Sequence, residues 1–374
     1  MTTNNRKPAP ATLKPSPEIR PKAPRRLASG TAVLAAAYAV TGTVWGISGT
    51  PFPVGDADPY SSSLLFNAPQ GVVGWALTAL AGIAAILATF VSIHSPRRVP
   101  AWLRGGAIAM AATMCLLALV LVGDARLLSV LGYIPVILVK VWYDPQIQEA
   151  MPRLLDASLM NILALAVGAA LWVVLAVFVD RSHRGACRRC GRAHETVRSP
   201  FSAGSAARWG RIAVGIAVAV PLLYAVTRIA WAFGFPLGVD PSLQDDMLAH
   251  GMDSSALGLG SMALAGAVLT LGLVQGWGEV FPRWIPGLAG KRVPISLAVV
   301  PATFVAMAII PASITMIVHA ARQPVGMIPS FSASNWAPYG PTFLWPLWGV
   351  ALAAAALAYY LRRRGMCREC LRVG

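Results

Sequence analysis

From Gly71 to Ile93 the chain reads GVVGWALTALAGIAAILATFVSI without a single charge. As a helix rising 1.5 Å per residue, such a run reaches about 35 Å, enough to cross a hydrocarbon layer of about 30 Å. Eight such runs occur, near Ala28–Ile47, Gly71–Ile93, Gly105–Val122, Leu159–Val179, Ile212–Phe233, Leu257–Gln275, Ile295–Val318 and Phe343–Tyr360. Only 12% of the residues are charged and the mean hydropathy is +0.61, too apolar for a water-facing surface. The expected class is an all-α membrane protein with eight transmembrane helices. The apolar stretch Leu127–Trp142 is short, is interrupted by Gly132 and Pro135 and carries Lys140, so it reads as re-entrant or interfacial.

The net charge of +16 could point to nucleic acid, but its placement points to topology. With the N-terminus inside and the spans alternating, 26 of the 31 Lys/Arg fall on inner segments. Only Arg126, Lys140, Arg153 and Arg322 fall outside, and Arg228 sits within a span. That is the positive-inside bias along the whole chain, and it places both termini in the cytoplasm. A ninth span at Leu127–Trp142 would invert it. The inner basic face is expected to meet anionic lipid head groups, and no nucleic acid is expected. Residues 1–26, basic and rich in proline, read as a disordered cytoplasmic tail.

The chain also repeats itself. YAVTGTVW at Tyr38–Trp45 matches YAVTRIAW at Tyr224–Trp231, an offset of 186 residues. PRRVP at Pro96–Pro100 matches PRWIP at Pro282–Pro286, again at 186. RGACRRCGR at Arg184–Arg192 matches RGMCRECLR at Arg364–Arg372 at 180, which puts six extra residues in the first half, at Leu127–Trp142. Compositional bias explains matched Leu and Ala, not matched Tyr, Trp, Pro and Cys. The chain therefore divides into the tail 1–26, a first four-helix repeat 27–192, a linker 193–208 and a second four-helix repeat 209–374. Four spans per repeat make the repeats parallel, related by an axis along the membrane normal.

Each repeat closes on a CxxC pair. On the cytoplasmic side thiols stay reduced, so a structural disulfide is disfavoured. Four thiolates suit a tetrahedral zinc ion, with Cys187, Cys190, Cys367 and Cys370 as ligands clamping the two halves. Neighbouring Arg188, Arg189 and Arg368 would favour the thiolate forms. A local site from His183, Cys187, Cys190 and His194 is an alternative, although the second half has no matching histidines. A redox CxxC pair lacks its usual strand–helix setting. The plain alternative is four reduced cysteines in basic flanks.

Arg228 is the one charged residue inside a span, and intramembrane charges are functional candidates. It lies about 25 Å along its helix from Arg211, which also allows it to snorkel outward towards Asp240. Gly42 stands in its place in the first half. The outer acids Asp56, Asp58, Asp240, Asp245, Asp246 and Asp253 solvate their loops without a calcium-loop spacing. Gly42 with Gly46, and Gly272 with Gly276, have the spacing of close helix-packing sites.

WGEVFPRWIPGLAGKRVP (Trp277–Pro294), YAVTRIAWAFGFPLG (Tyr224–Gly238), LWPLWG (Leu344–Gly349) and RRRGMCREC (Arg362–Cys370) resemble a group of uncharacterised multi-pass membrane proteins of actinobacteria. The resemblance implies a bacterial plasma membrane and brings no catalytic residue with it. The chain holds no G-x-S-x-G, H-E-x-x-H, Walker loop or dinucleotide motif, so nothing points to an enzyme. Two function classes follow. One is a scaffold, sensor or partner subunit with a zinc-clamped basic face. The other is a transporter or channel component with a path between the repeats. The spans are mostly Ala, Val, Leu and Gly, with Thr41, Thr43 and Thr227 as mild polar exceptions, which slightly favours the first.

Overall fold

The computed structural model describes residues 23–49, 63–65, 68–93, 99–123, 125–128, 141–143, 145, 148–149, 156–187, 189–192, 201–250, 253–322, 334–367 and 369–370. Among these the protein is all-helical. The one extended pairing is an isolated bridge between Val280 and Arg292. The helices are α1 (Ala23–Ser48), α2 (Gln70–Ile93), α3 (Ala101–Leu116, prolonged by a π turn over Leu117–Leu121), α4 (Ala157–His183) and α5 (Ala203–Ala232). They continue with α6 (Pro241–Ala249), α7 (Asp253–Leu271), α8 (Ile295–Arg322), α9 (Gly340–Phe343) and α10 (Trp345–Arg363). Tail residues 1–22, Asp56, Asp58, most of Leu127–Trp142 and linker residues 193–200 lie outside the described residues, whereas residues 23–26, counted with the tail from the sequence, open α1.

Among the described residues, six helices are long and apolar enough to cross a membrane: those covering Arg25–Ser48, Gly71–Ile93, Ala101–Leu121, Ala157–His183, Ala203–Ala232 and Ile295–Val318. Where the sequence suggests a sixth and an eighth span, the structure has α7 and α10, of 19 residues each.

Local chemistry fixes the helix starts. Pro100, extended, precedes α3. Asp156 accepts from the Leu159 N–H to cap α4, and Ser202 does the same for α5 through Ser205. Along the helices, threonine hydroxyls donate to carbonyls of their own helix. Thr41 donates to Ala37, Thr43 to Ala39, Thr78 to Gly74 and Thr227 to Tyr224. This satisfies each hydroxyl without water or a partner helix.

Large apolar side chains face outward: Val40 is 65% exposed, Ile86 60%, Leu269 69% and Val300 62%. The interior is built from small residues around a few large ones. Ala84, Ala88 and Ala107 surround Trp172, while Ala213, Ala217, Ala306 and Ala355 surround Tyr359. An oily exterior over a small-residue interior is the arrangement expected where lipid, not water, is the solvent.

α1 packs on α2 and α4, and α3 on α4. α5 packs on α7 and α10, and α8 on α10. Glycines set the closest approaches. A Cβ on Gly74 would stand 2.8 Å from the Gly46 nitrogen, and one on Gly42 would stand 2.8 Å from the Thr78 hydroxyl. On the other side, a Cβ on Gly260 would stand 2.8 Å from Ile229 and 3.3 Å from the Ala225 carbonyl. Gly42 and Gly46 therefore serve as the sequence suggests. Gly272 and Gly276 do not, because α7 stops at Leu271. Gly272 instead lies in the following turn against Trp277, and Gly276 faces open space. The two groups of helices meet where Gly123, just past the π turn of α3, faces Pro311 of α8. A Cβ on Gly123 would come within 2.6 Å of the proline.

Candidate metal centre

α4 and α10 end alike, one residue before an Arg–Gly pair. At α4 the ending is a Schellman motif. Gly185 takes a left-handed φ of 60°, its N–H reaches the Ser182 carbonyl, and the Ala186 N–H reaches back to Arg181. The chain thus leaves the helix axis with Cys187 two residues on. A tight turn follows. The Gly191 N–H donates to the Cys187 carbonyl at 2.7 Å and the Cys187 N–H to the Arg192 carbonyl at 2.9 Å. Gly191 needs its φ of 73° here, with Arg181 packed against it. After α10, Arg364 is extended and leads through Gly365 and Met366 to Cys367.

The two turns meet. The Sγ atoms of Cys187, Cys190, Cys367 and Cys370 all lie within 4.8 Å of one another. Cys187 is 3.8 Å from Cys367, and Cys190 is 3.5 Å from Cys370. Each close pair joins equivalent positions of the two nonamers, 180 residues apart. A zinc ion with arms of about 2.3 Å to four sulfurs has sulfur–sulfur edges of about 3.8 Å. The spacing fits that tetrahedron, so the four cysteines can hold a metal ion such as zinc. All four are free thiols.

Arginines brace the junction across the two halves, a role the sequence reading gave only to charge. Arg192 donates to the carbonyls of Arg364 and Gly365 at 3.3 and 3.2 Å. Arg364 returns a bond to the Cys190 carbonyl at 3.0 Å and another to Phe201 at 3.0 Å. Arg181 reaches the Arg189 carbonyl. Arg189 and Glu369 form an exposed pair at 3.8 Å, which at that exposure adds little. The signal in the sequence was the arginine at each end of the nonamer, but its partners are carbonyls far along the chain. Arg188 and Arg368 lie outside the described residues.

The thiols are not equivalent. Backbone N–H groups of Cys370 and Glu369 pointing at the Cys367 sulfur bring its pKa down to about 6. Burial pushes the Cys190 thiol up to about 12. One sulfur of the metal-free cluster is thus poised as a thiolate beside a neighbour held as a thiol. His183, from the local alternative, turns Nδ1 to the Val99 carbonyl at 2.9 Å and is outside the cluster; His194 lies outside the described residues.

Arg228 is far from this centre in both sequence and chemistry. Its guanidinium reaches the carbonyls of Ala337 and Pro338 at 3.4 and 3.2 Å, and lies 4.5 and 4.1 Å from the ring centres of Tyr224 and Trp231. It does not pair with Asp240. The Ala337 and Pro338 carbonyls and the aromatic faces of its own helix hold the guanidinium instead. The Tyr and Trp of the repeated YAVT…W motif are thus its cradle in the second half. In the first half, with Gly42 at the equivalent place, Tyr38 instead stacks edge-on with Trp45 and donates to Asn161 at 2.7 Å.

No family model, curated protein or solved structure matches the chain.

Proposed function

We propose that the chain is an eight-span plasma-membrane scaffold, sensor or partner subunit. Two parallel four-helix repeats are clamped together beneath the membrane by one zinc ion on Cys187, Cys190, Cys367 and Cys370. The observation that carries this reading is the meeting of the four sulfurs, each close pair made of equivalent residues from opposite halves. A shared ion would fix the two halves at their cytoplasmic ends and leave a rigid basic platform there for a partner. Both termini lie on that side, in a bacterial plasma membrane.

Several features support eight spans and two repeats. α7 has 19 residues, about 28 Å, close to the hydrocarbon thickness. α9 and α10 are parted only by Leu344, which is itself near-helical, so Gly340–Arg363 runs for 24 residues, about 36 Å. Pro346 accounts for the break, since it has no N–H to give the Thr342 carbonyl. The pairings α1–α2, α1–α4 and α3–α4 have counterparts in α5–α7, α5–α10 and α8–α10. Gly74 and Gly260, the glycines of closest approach, are 186 residues apart, the offset of the YAVT motif.

One match needs a different register. Pro100 immediately precedes α3, and the residue immediately before α8 is Pro294, not Pro286. KRVP therefore stands where RRVP does, at an offset of 194, and the second half carries eight extra residues in its 272–294 turn. There the Val280–Arg292 bridge and a half-buried Arg363, bonded to the Val293 and Glu279 carbonyls, order the loop.

The transport alternative calls for polar groups at mid-depth. The threonines that could supply them bond to their own helices, and the cavity among α1–α4 is lined by Leu, Ala, Met and Trp with only Thr31 and Tyr38 as polar neighbours. The test is cross-linked capture from native membranes with the wild-type chain and with Cys187→Ser/Cys370→Ser at matched levels. The scaffold reading expects a defined protein that is retained by the wild type and lost with the variant. Recovery of the chain alone in both refutes it.

A further inference from the structure

A second feature of the basic end is a cavity of about 310 Å3 between α5, α10 and the turn after α7, near the lower bound of the roughly 300–1,000 Å3 of small-ligand sites. Its origin lies in residue size. Gly210 meets Ala358 so closely that a Cβ on the glycine would stand 2.5 Å from the alanine methyl. With Ala207 alongside, these small groups leave room that longer side chains would fill. The long side chains at this point are Arg211, Tyr359 and Arg362.

We infer that this cavity binds a phosphate group, and that the phosphate belongs to an anionic lipid head group. Arg211 is exposed at the mouth and makes no ion pair among the described residues. Arg362, on the opposite wall, is already oriented, with one arm donating to the Leu273 carbonyl at 2.8 Å and another 3.3 Å from the Glu279 carboxylate. Tyr359 stiffens the wall by donating to the Gly278 carbonyl at 2.5 Å. Behind it, Arg363 spends its donors on the Val293 and Glu279 carbonyls. Two guanidinium groups thus line the cavity, one of them paired with Glu279, and the local excess is positive. A guanidinium fork matches two phosphate oxygens at once and is cheaper to desolvate than an ammonium.

The remaining walls are Ala, Gly, Leu and Val, which offer nothing to a sugar or a base but suit the glycerol-ester part of a lipid. Arg211 lies about 12 Å into α5 and Arg362 is the penultimate residue of α10, just before the cysteine turn. The cavity therefore sits at the same end as the basic cluster, where anionic lipids concentrate if that end is cytoplasmic. Only the choice of leaflet rests on the proposed topology; the phosphate site does not.

The test titrates the full chain in detergent with short-chain phosphatidylglycerol, with the matching diacylglycerol and with inorganic phosphate. Phosphatidylglycerol should bind saturably, and the diacylglycerol should not. Arg211→Gln and Arg362→Gln should each weaken binding by roughly 10-fold or more, the loss expected for a charge-assisted hydrogen bond. Ala207→Leu, which fills the space and keeps every charge, should do the same. Arg208→Gln, an exposed neighbour on α5 that does not line the cavity, should change nothing. If Arg362→Gln fails to fold, Arg211→Gln and Ala207→Leu decide, since neither removes a contact that holds the helices. Inorganic phosphate binding as tightly as the lipid overturns the lipid assignment. Equal lipid affinity in the wild type, Arg211→Gln and Ala207→Leu overturns the site. Zinc content measured on the same samples keeps the outcome separate from the metal clamp.

Discussion

Changing Cys370 to serine tests the metal centre at its most informative point. Cys370 is 180 residues from Cys190 yet 3.5 Å from it, and the full set spans no more than 4.8 Å. Edges of about 3.8 Å for a tetrahedral zinc require the sulfurs to shift by less than about 1 Å on binding. The site is therefore nearly preformed, and the ion need not fold the protein to bind it. Wild-type protein purified without chelator should carry one zinc per chain by elemental analysis, with four sulfurs near 2.3 Å by X-ray absorption. Removing a single thiolate leaves three ligands and an open position. The affinity loss should exceed the roughly 10–100-fold seen when only an outer-shell partner is removed. Competition with a chromogenic chelator measures it. Cys190→Ser and Cys370→Ser should lose zinc alike, although they lie in opposite halves, while His183→Asn keeps it. Zinc retained at full stoichiometry in Cys370→Ser would refute the shared site in favour of a local one. Wild-type protein without zinc would refute the metal altogether.

Three further outcomes follow from the same geometry. In metal-free protein, thiolate absorbance should rise by one group per chain as pH climbs through about 6, and Cys367→Ser should abolish that step, because a lowered pKa means the proton leaves on the way up. On α7, Gly260→Ala should lower the melting temperature through overpacking worth about 1–3 kcal/mol, while Gly258→Ala, which meets nothing within 4 Å, should not. Arg228→Gln should lower the melting temperature by removing a charged donor worth about 1.5–3 kcal/mol at the Ala337 and Pro338 carbonyls, whereas Asp240→Asn, at a residue Arg228 does not touch, should leave it unchanged.

Much of this protein is legible from its sequence, because long apolar runs obey a one-dimensional rule. A long run without charge must become a helix that satisfies its own backbone, and no distant contact is needed to decide it. That is why the runs at Gly71–Ile93 and Leu159–Val179 become α2 and α4 with few surprises. The duplicated CxxC nonamer likewise marks its four cysteines in the sequence alone. Helix ends were less legible. Nothing local in the run Leu257–Gln275 says that α7 stops at Leu271, because the break depends on Trp277 folding back over Gly272 and on Gly278 pressing against the Gly272 carbonyl. The partners of Arg228 are hidden from the sequence for the same reason. A loop carbonyl carries no mark in the sequence, whereas an aspartate does.

The sequence by itself determined the helical class, the apolar lengths and the residue types at the basic end, since each follows from hydropathy, charge and spacing along the chain. Only the tertiary structure decided which residues meet. It brought Cys187 to Cys367 and Cys190 to Cys370, crossed Arg192 and Arg364 between the two turns, and opened a cavity where Gly210 passes Ala358. Those meetings depend on how whole helices pack. The packing is set by small residues at a few crossings, and their consequences appear 180 residues away.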